Sequence, residues 1–118
     1  MSRQNLEVVR QAIDAYVRRD VEAMRRVTSA DLELDWSASR GWLAGVYRGF
    51  EEAWRWFQRK GVWEGGAFTY SVEELLGGER HAATLLRISG SGREWRQVAV
   101  YRVEGGQIVE VWLYEEPH

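Results

Sequence analysis

The chain has 118 residues, 16 basic against 18 acidic side chains and no cysteine, so disulfides, thiolate zinc sites and cysteine nucleophiles are excluded together. Its formal charge of −2 comes from interleaved charges, which excludes the basic stripe a nucleic-acid partner requires. No leading hydrophobic segment and no apolar run near the ~20 residues of a membrane span occur, so a cytoplasmic protein without membrane contact is expected.

A chain of this length suits one domain, residues 1–118, with one core. Seven tryptophans are many for so small a core. Each buries roughly 200 Å², so some are expected to line a cavity or an interface.

Leu6, Val9, Ile13 and Tyr16 recur at helical spacing, widened by Val8, Ala12 and Val17, and predict a first helix from Asn5 to Arg18. Asp20 follows as the cap of a short second helix, Val21 to Val27. Leu32, Leu34 and Trp36 then alternate with Asp31, Glu33 and Asp35, the period of a half-buried strand. Ser37 to Gly49 reads as irregular, and Phe50, Ala53, Trp54 and Phe57 predict a third helix from Phe50 to Lys60. Beyond it, Gly77-Gly78, Gly90-Ser91-Gly92 and Gly105-Gly106 punctuate the chain at hairpin spacing, which predicts an antiparallel meander. Helices gathered on one face of such a sheet make an α+β half-barrel whose open end suits a small molecule.

A two-residue turn at Gly105-Gly106 pairs Glu104 with Gln107, Arg102 with Val109, Val100 with Val111 and Val98 with Leu113. One face is then aliphatic: Val98, Val100, Val109, Val111 and Leu113. The other carries Trp95, Gln97, Tyr101, Trp112 and Tyr114. An aliphatic face suits packing on helices, which leaves the aromatic face as a homodimer interface on the outer sheet surface. The alternative puts the aromatic face inside, lining the pocket.

Five segments carry a resemblance over nearly the whole chain: Asn5-Leu6-Glu7-Val8-Val9-Arg10, Arg19-Asp20-Val21-Glu22-Ala23-Met24, Asp31-Leu32-Glu33-Leu34-Asp35-Trp36, Gly45-Val46-Tyr47-Arg48-Gly49 and Glu104-Gly105-Gly106-Gln107-Ile108-Val109. In this order and spacing they resemble the SnoaL-like branch of the nuclear-transport-factor-2-like superfamily. The resemblance implies a cone-shaped half-barrel, three N-terminal helices packed on a curved mixed or antiparallel sheet. It also implies cofactor-free chemistry or simple binding of a small hydrophobic polyketide-, terpenoid- or steroid-like compound, since this scaffold serves isomerases, cyclases, hydrolases and association modules alike.

The family's catalytic constellations do not carry over. A steroid-isomerase-like site needs a carboxylate at the end of the first strand, a tyrosine on the first helix and an acid on the penultimate strand. Here the parity of Leu32, Leu34 and Trp36 turns Asp35 outward unless the strand bulges, and the penultimate-strand position falls at Ala99 or Val100. Tyr16 lies about one turn nearer the helix end than that family's tyrosine. The arginine between two aspartates of limonene-epoxide-hydrolase-like members is missing, because no Asp follows Asp35. A cyclase-like pair would have to recruit His81 or terminal His118.

The catalytic residues therefore stay unassigned. The candidate pocket set is Tyr16, Trp36, Trp42, Tyr47, Trp54, Phe57 and Arg87, with Trp63 beside it; these rings either wall a cavity or fill it. Tyr16 is a hydrogen-bond donor to a ligand carbonyl or an ordinary core residue. Arg87 is an inward cation favouring an anionic ligand, or a surface arginine paired with Glu73 or Glu74. His81 is a loop-edge histidine or a proton shuttle. No metal-ligand spacing, phosphate loop, nucleophile elbow or dinucleotide fingerprint is present, so no metal and no cofactor are expected.

Overall fold

In the computed structural model, which describes residues 3–36, 45–59, 69–90 and 92–115, helices cover one side of a single sheet. The elements are α1 (Arg3–Arg18), α2 (Val21–Val27), β1 (Thr28–Asp35), β2 (Val46–Arg48), α3 (Phe50–Arg59), β3 (Thr69–Gly77), β4 (His81–Gly90), β5 (Arg93–Glu104) and β6 (Gln107–Glu115). The strands order as β2-β1-β6-β5-β4-β3 in a curved, unclosed sheet, antiparallel except where β1 runs parallel to β6. This is the expected α+β architecture. The meander from β3 to β6 follows the glycine turns, and Gly105 and Gly106 both take positive φ (56° and 77°), as a two-residue hairpin turn requires.

α1 lies on the sheet along a line of small residues. Val9, Ala12 and Ala15 are almost fully buried, whereas Leu6, Ile13 and Tyr16 pack at the margin and Val17 is exposed. Short side chains let the backbone approach closely, so the deepest contacts are made by Val9, Ala12 and Ala15 rather than by the longer residues of the stripe. The turn into α2 is a left-handed cap. Arg19 takes φ 60°, its N–H donates to the Tyr16 carbonyl (3.1 Å), and the Asp20 N–H donates to the Ala15 carbonyl (2.9 Å). Asp20 then caps α2 as predicted, its carboxylate accepting from the Ala23 N–H at 3.1 Å. Arg25 ties α2 to α3 through a two-pronged pair with Glu51 (2.7 and 2.9 Å) and lies 5.6 Å from the centre of the Phe50 ring.

β1 starts at Thr28, earlier than the alternation of Leu32, Leu34 and Trp36 indicates, because it takes over directly where α2 ends. Part of the stretch read as irregular is ordered: β2 pairs antiparallel with β1, Tyr47 opposite Leu34. The Trp36 N–H donates to the Gly45 carbonyl at 2.7 Å, extending that ladder by one residue.

The β5–β6 register departs from simple counting. Glu104 faces Gln107 and Val103 faces Ile108, but Arg102 faces Glu110, so Val109 is a bulge. The insertion brings Arg102 and Glu110 into an ion pair, Nε to Oε1 at 3.1 Å. It also reverses the side of every later β6 residue relative to β5. Tyr101 thus pairs with Val111, Ala99 with Leu113, Val100 with Trp112 and Val98 with Tyr114. The two predicted faces are each split. Gln97, Ala99, Tyr101 and Val103 are buried with Val111 under the helices, while Val98, Val100, Trp112 and Tyr114 share the outer face.

Arg19 is a non-glycine residue held in a conformation that costs an L side chain about 1 kcal/mol. Arg19→Gly is therefore expected to raise the thermal midpoint by a few degrees, and Arg19→Val to lower it. Both are read by calorimetry.

Candidate functional site

The inner face of the sheet is built by alternation. On β4, Ala82, Thr84, Leu86 and Ile88 are buried while His81, Ala83, Leu85 and Arg87 point the other way. On β5, Gln97, Ala99, Tyr101 and Val103 face the helices, and Trp95 shares their side. Leu34 and Trp36 of the β1 segment and Tyr47 of β2 complete the face at one end, where α3 adds Phe50 and Trp54, their rings stacked 5.9 Å apart. Four of the predicted pocket residues are thus present in this interior or at its edge: Trp36, Tyr47 and Trp54 buried, and Tyr16 partly buried against the core cluster. Trp42 and Trp63 lie outside the described residues, and Phe57 falls within α3, where only its backbone is described.

Arg87 is not part of this interior. It stands on the outer face, where its Nε donates to Glu73 at 2.6 Å and its Nη1 bonds Glu94, with Arg96 reaching the same Glu73 at 3.5 Å. The paired surface reading of Arg87 therefore holds. The hydrogen bond from Arg87 holds the Glu73 carboxyl below its ordinary value. Asp35 also points away from the interior, beside Trp112 in the parallel pairing with β6. His81 is exposed at the start of β4, its ring 5.9 Å from that of Trp112 on the outer face.

Three positions expected at an outer interface, Trp95, Gln97 and Tyr101, stand on the inner side instead. Tyr101 is 8% exposed and Gln97 7%, because β5 turns its odd-numbered residues toward the helices. Trp95 follows the same parity. Trp112 and Tyr114 are the members of that set that face outward, carried there by the Val109 bulge. Thr84, which sequence reading passed over, joins them at the centre: its Oγ1 lies 3.4 Å from the Tyr101 hydroxyl. The signal was there in the parity of Ala82, Thr84, Leu86 and Ile88, a single polar residue on an apolar side.

The chemistry of the interior is neutral. Among the described residues the buried polar side chains are Thr28, Thr84 and Gln97, joined by the phenols of Tyr47 and Tyr101; no Asp, Glu, Lys, Arg or His is buried. Desolvation pushes the Tyr101 hydroxyl up to about 12, with the Thr84 bond opposing it, and pushes Tyr47 upward too. Of the two positions weighed for an acid on the penultimate strand, Ala99 is buried under the helices and Val100 faces outward. No three metal-binding side chains converge among the described residues. A separate groove of about 430 Å³ between α1, α2 and the β5–β6 turn is lined by residues such as Val8, Gln11, Arg18 and Arg26, and includes none of these interior polar groups.

Because Tyr101 binds its proton more tightly folded than unfolded, its contribution to stability is full below pH ~10 and is lost as pH rises toward about 12. Alkaline titration at 295 nm is expected to show the Tyr101 phenol ionising last, near pH 12, and Tyr101→Phe to remove that final step.

The sequence profile of the SnoaL-like domain matches residues 9–111. No curated protein matches the sequence. Solved structures share the fold. A candidate ketosteroid isomerase from Kribbella flavida superposes with TM-score 0.81 at 16% identity, over 98% of this chain and 79% of its own. A nuclear-transport-factor-2-like protein of unknown function from Burkholderia pseudomallei gives 0.79 at 21% identity, over 98% and 92%. A candidate polyketide cyclase from Sinorhizobium meliloti gives 0.74 at 16%, over 91% and 93%. At these identities the likeness is one of fold. The profile match, spanning most of the chain, settles the family: the chain belongs to the SnoaL-like domain family.

Proposed function

We propose that this member of the SnoaL-like family holds a small, uncharged and mostly hydrophobic molecule, of polyketide-, terpenoid- or steroid-like character, against the inner face of its sheet. One observation carries the reading: the interior polar groups are hydroxyls, a carboxamide and indoles, and no ionisable acid–base pair is buried among the described residues. Proton-transfer catalysis in this family's manner needs a buried carboxylate or histidine with a shifted pKa. Among the described residues, the carboxylates whose pKa is displaced, Glu51 and Glu73, are surface groups lowered by arginines. Binding is thus favoured over isomerase, cyclase or hydrolase chemistry. The named neighbours add that closely similar scaffolds are described as isomerase and cyclase candidates, which keeps the same ligand classes in view.

The test is thermal unfolding against steroids, terpenoid epoxides, aromatic polyketides and small carboxylates. A ligand present at ~100 times its Kd adds about 2.7 kcal/mol, or on the order of 10 °C for a domain of this size. A shift with one neutral class and none with the carboxylates is expected. No shift with any class, or turnover of a bound compound, overturns the reading.

The outer face supports a second, compatible function, self-association as a homodimer. Ala83, Leu85, Val98, Val100, Trp112 and Tyr114 form an apolar band across β4, β5 and β6, with Val98 38% and Tyr114 47% exposed. The Arg87–Glu73–Glu94 and Arg102–Glu104–Glu110 ion pairs flank it at either end. A band of this kind between charged margins is self-complementary under a two-fold axis. Trp112→Glu with Tyr114→Glu is expected to convert a dimer to monomers in sedimentation velocity. A monomeric wild-type protein, or a dimer that survives both changes, removes this interface.

A further inference from the structure

Thr84 and Tyr101 carry two hydroxyl protons between them, and one serves the bond that joins their oxygens, whichever atom donates. Neither hydroxyl makes another hydrogen bond among the described residues, although Thr84 is 1% and Tyr101 8% exposed. A buried donor without an acceptor is costly, so the second proton marks a place where an acceptor belongs. The strand residues facing the pair are small. Ala82 stands opposite Tyr101 and Ala99 opposite Thr84, so the cross-strand neighbours of both residues end at Cβ. Gln97, two positions from Ala99 and four from Tyr101 on the same side of β5, is another buried polar group.

The acceptor's charge follows from the same neighbourhood. No cationic side chain is buried among the described residues, so an anionic oxygen would lose its hydration without a counter-charge. The phenol itself stays protonated at every physiological pH, since burial holds it near 12. An uncharged oxygen takes the proton with neither penalty.

We infer that the Thr84–Tyr101 hydroxyl pair is the polar anchor of the interior, donating its second proton to the neutral carbonyl oxygen of a ketone, aldehyde, ester or lactone on an otherwise apolar ligand. This inference rests on the binding function proposed above. It predicts discrimination by one oxygen atom rather than by size.

Acetophenone and ethylbenzene form a matched pair of probes, compared by calorimetry on wild type, Tyr101→Phe and Thr84→Val, with circular dichroism checking that each variant is folded. Loss of one such hydrogen bond is expected to weaken acetophenone about tenfold in Tyr101→Phe and severalfold in Thr84→Val, with ethylbenzene unchanged. The carbonyl stretch of bound acetophenone is expected to lie lower in wild type than in Tyr101→Phe. Equal losses for both probes, or wild-type binding no tighter for the ketone than for the hydrocarbon, overturn the anchor while leaving the binding function in place. If acetophenone and the wider panel all fail to bind wild type, the binding function falls and the anchor with it.

Discussion

Val109 is the extra residue at which β6 bulges against β5, and the orientation of the sheet's C-terminal half follows from that insertion. Two attractions hold it in place. On the turn side Val103 meets Ile108, both buried; beyond it Arg102 meets Glu110. Without the bulge, Arg102 would face Val109 and no charge would be opposite it. With the bulge, Val111 enters the core beside Leu34 of β1, since β1 and β6 run in parallel there. Trp112 and Tyr114 are then left outside. One residue therefore decides that Val111 and Leu113 turn inward while Trp112 and Tyr114 turn outward.

The same partition governs the electrostatics. The ion pairs lie at or near the surface: Arg18 with Asp14 and Asp20, Arg25 with Glu22 and Glu51, Arg87 with Glu73 and Glu94, Arg96 with Glu73, Arg102 with Glu104 and Glu110. Such exposed pairs add little stability singly. Their value is to keep charge satisfied away from the interior, where it would have to be desolvated. What remains inside is neutral hydrogen-bonding capacity set among apolar and aromatic side chains. In the binding function proposed above, that arrangement would recognise a ligand by shape and by a few oxygen contacts.

Much of the fold was legible because it depends on local rules. The helical stripes, the Asp20 cap, the alternation through Leu32, Leu34 and Trp36 and the glycine turns each act over a few residues, and the five segments resembling the SnoaL-like branch fixed their order. The site was less legible because facing is a cumulative property. Counting back from Gly105-Gly106 is sound only while no residue is inserted, and Val109 is inserted. That one step placed Gln97 and Tyr101 on the wrong side, although the opposite charges of Arg102 and Glu110 pointed to the true register. Arg87 was ambiguous for another reason. Glu73, its partner, comes from β3, and a cross-strand partner is set by sheet order rather than by the arginine's own neighbours. β2 escaped notice because three residues leave no periodicity to detect.

The parallel seam between β1 and β6 carries a consequence for biogenesis. β1 belongs to residues 28–35 and its long-side partner to residues 107–115, so the middle of the sheet is stitched from distant parts of the chain. While the polypeptide emerges from a ribosome, β1 has only the short β2 to pair with, and its other edge stays open until the last strand is available. Closing that seam must gather the whole intervening chain, which is the kind of long-range step that slows folding. During that interval the backbone edge of β1 that β6 will cover stays unpaired, with Leu32 and Leu34 still short of their full core.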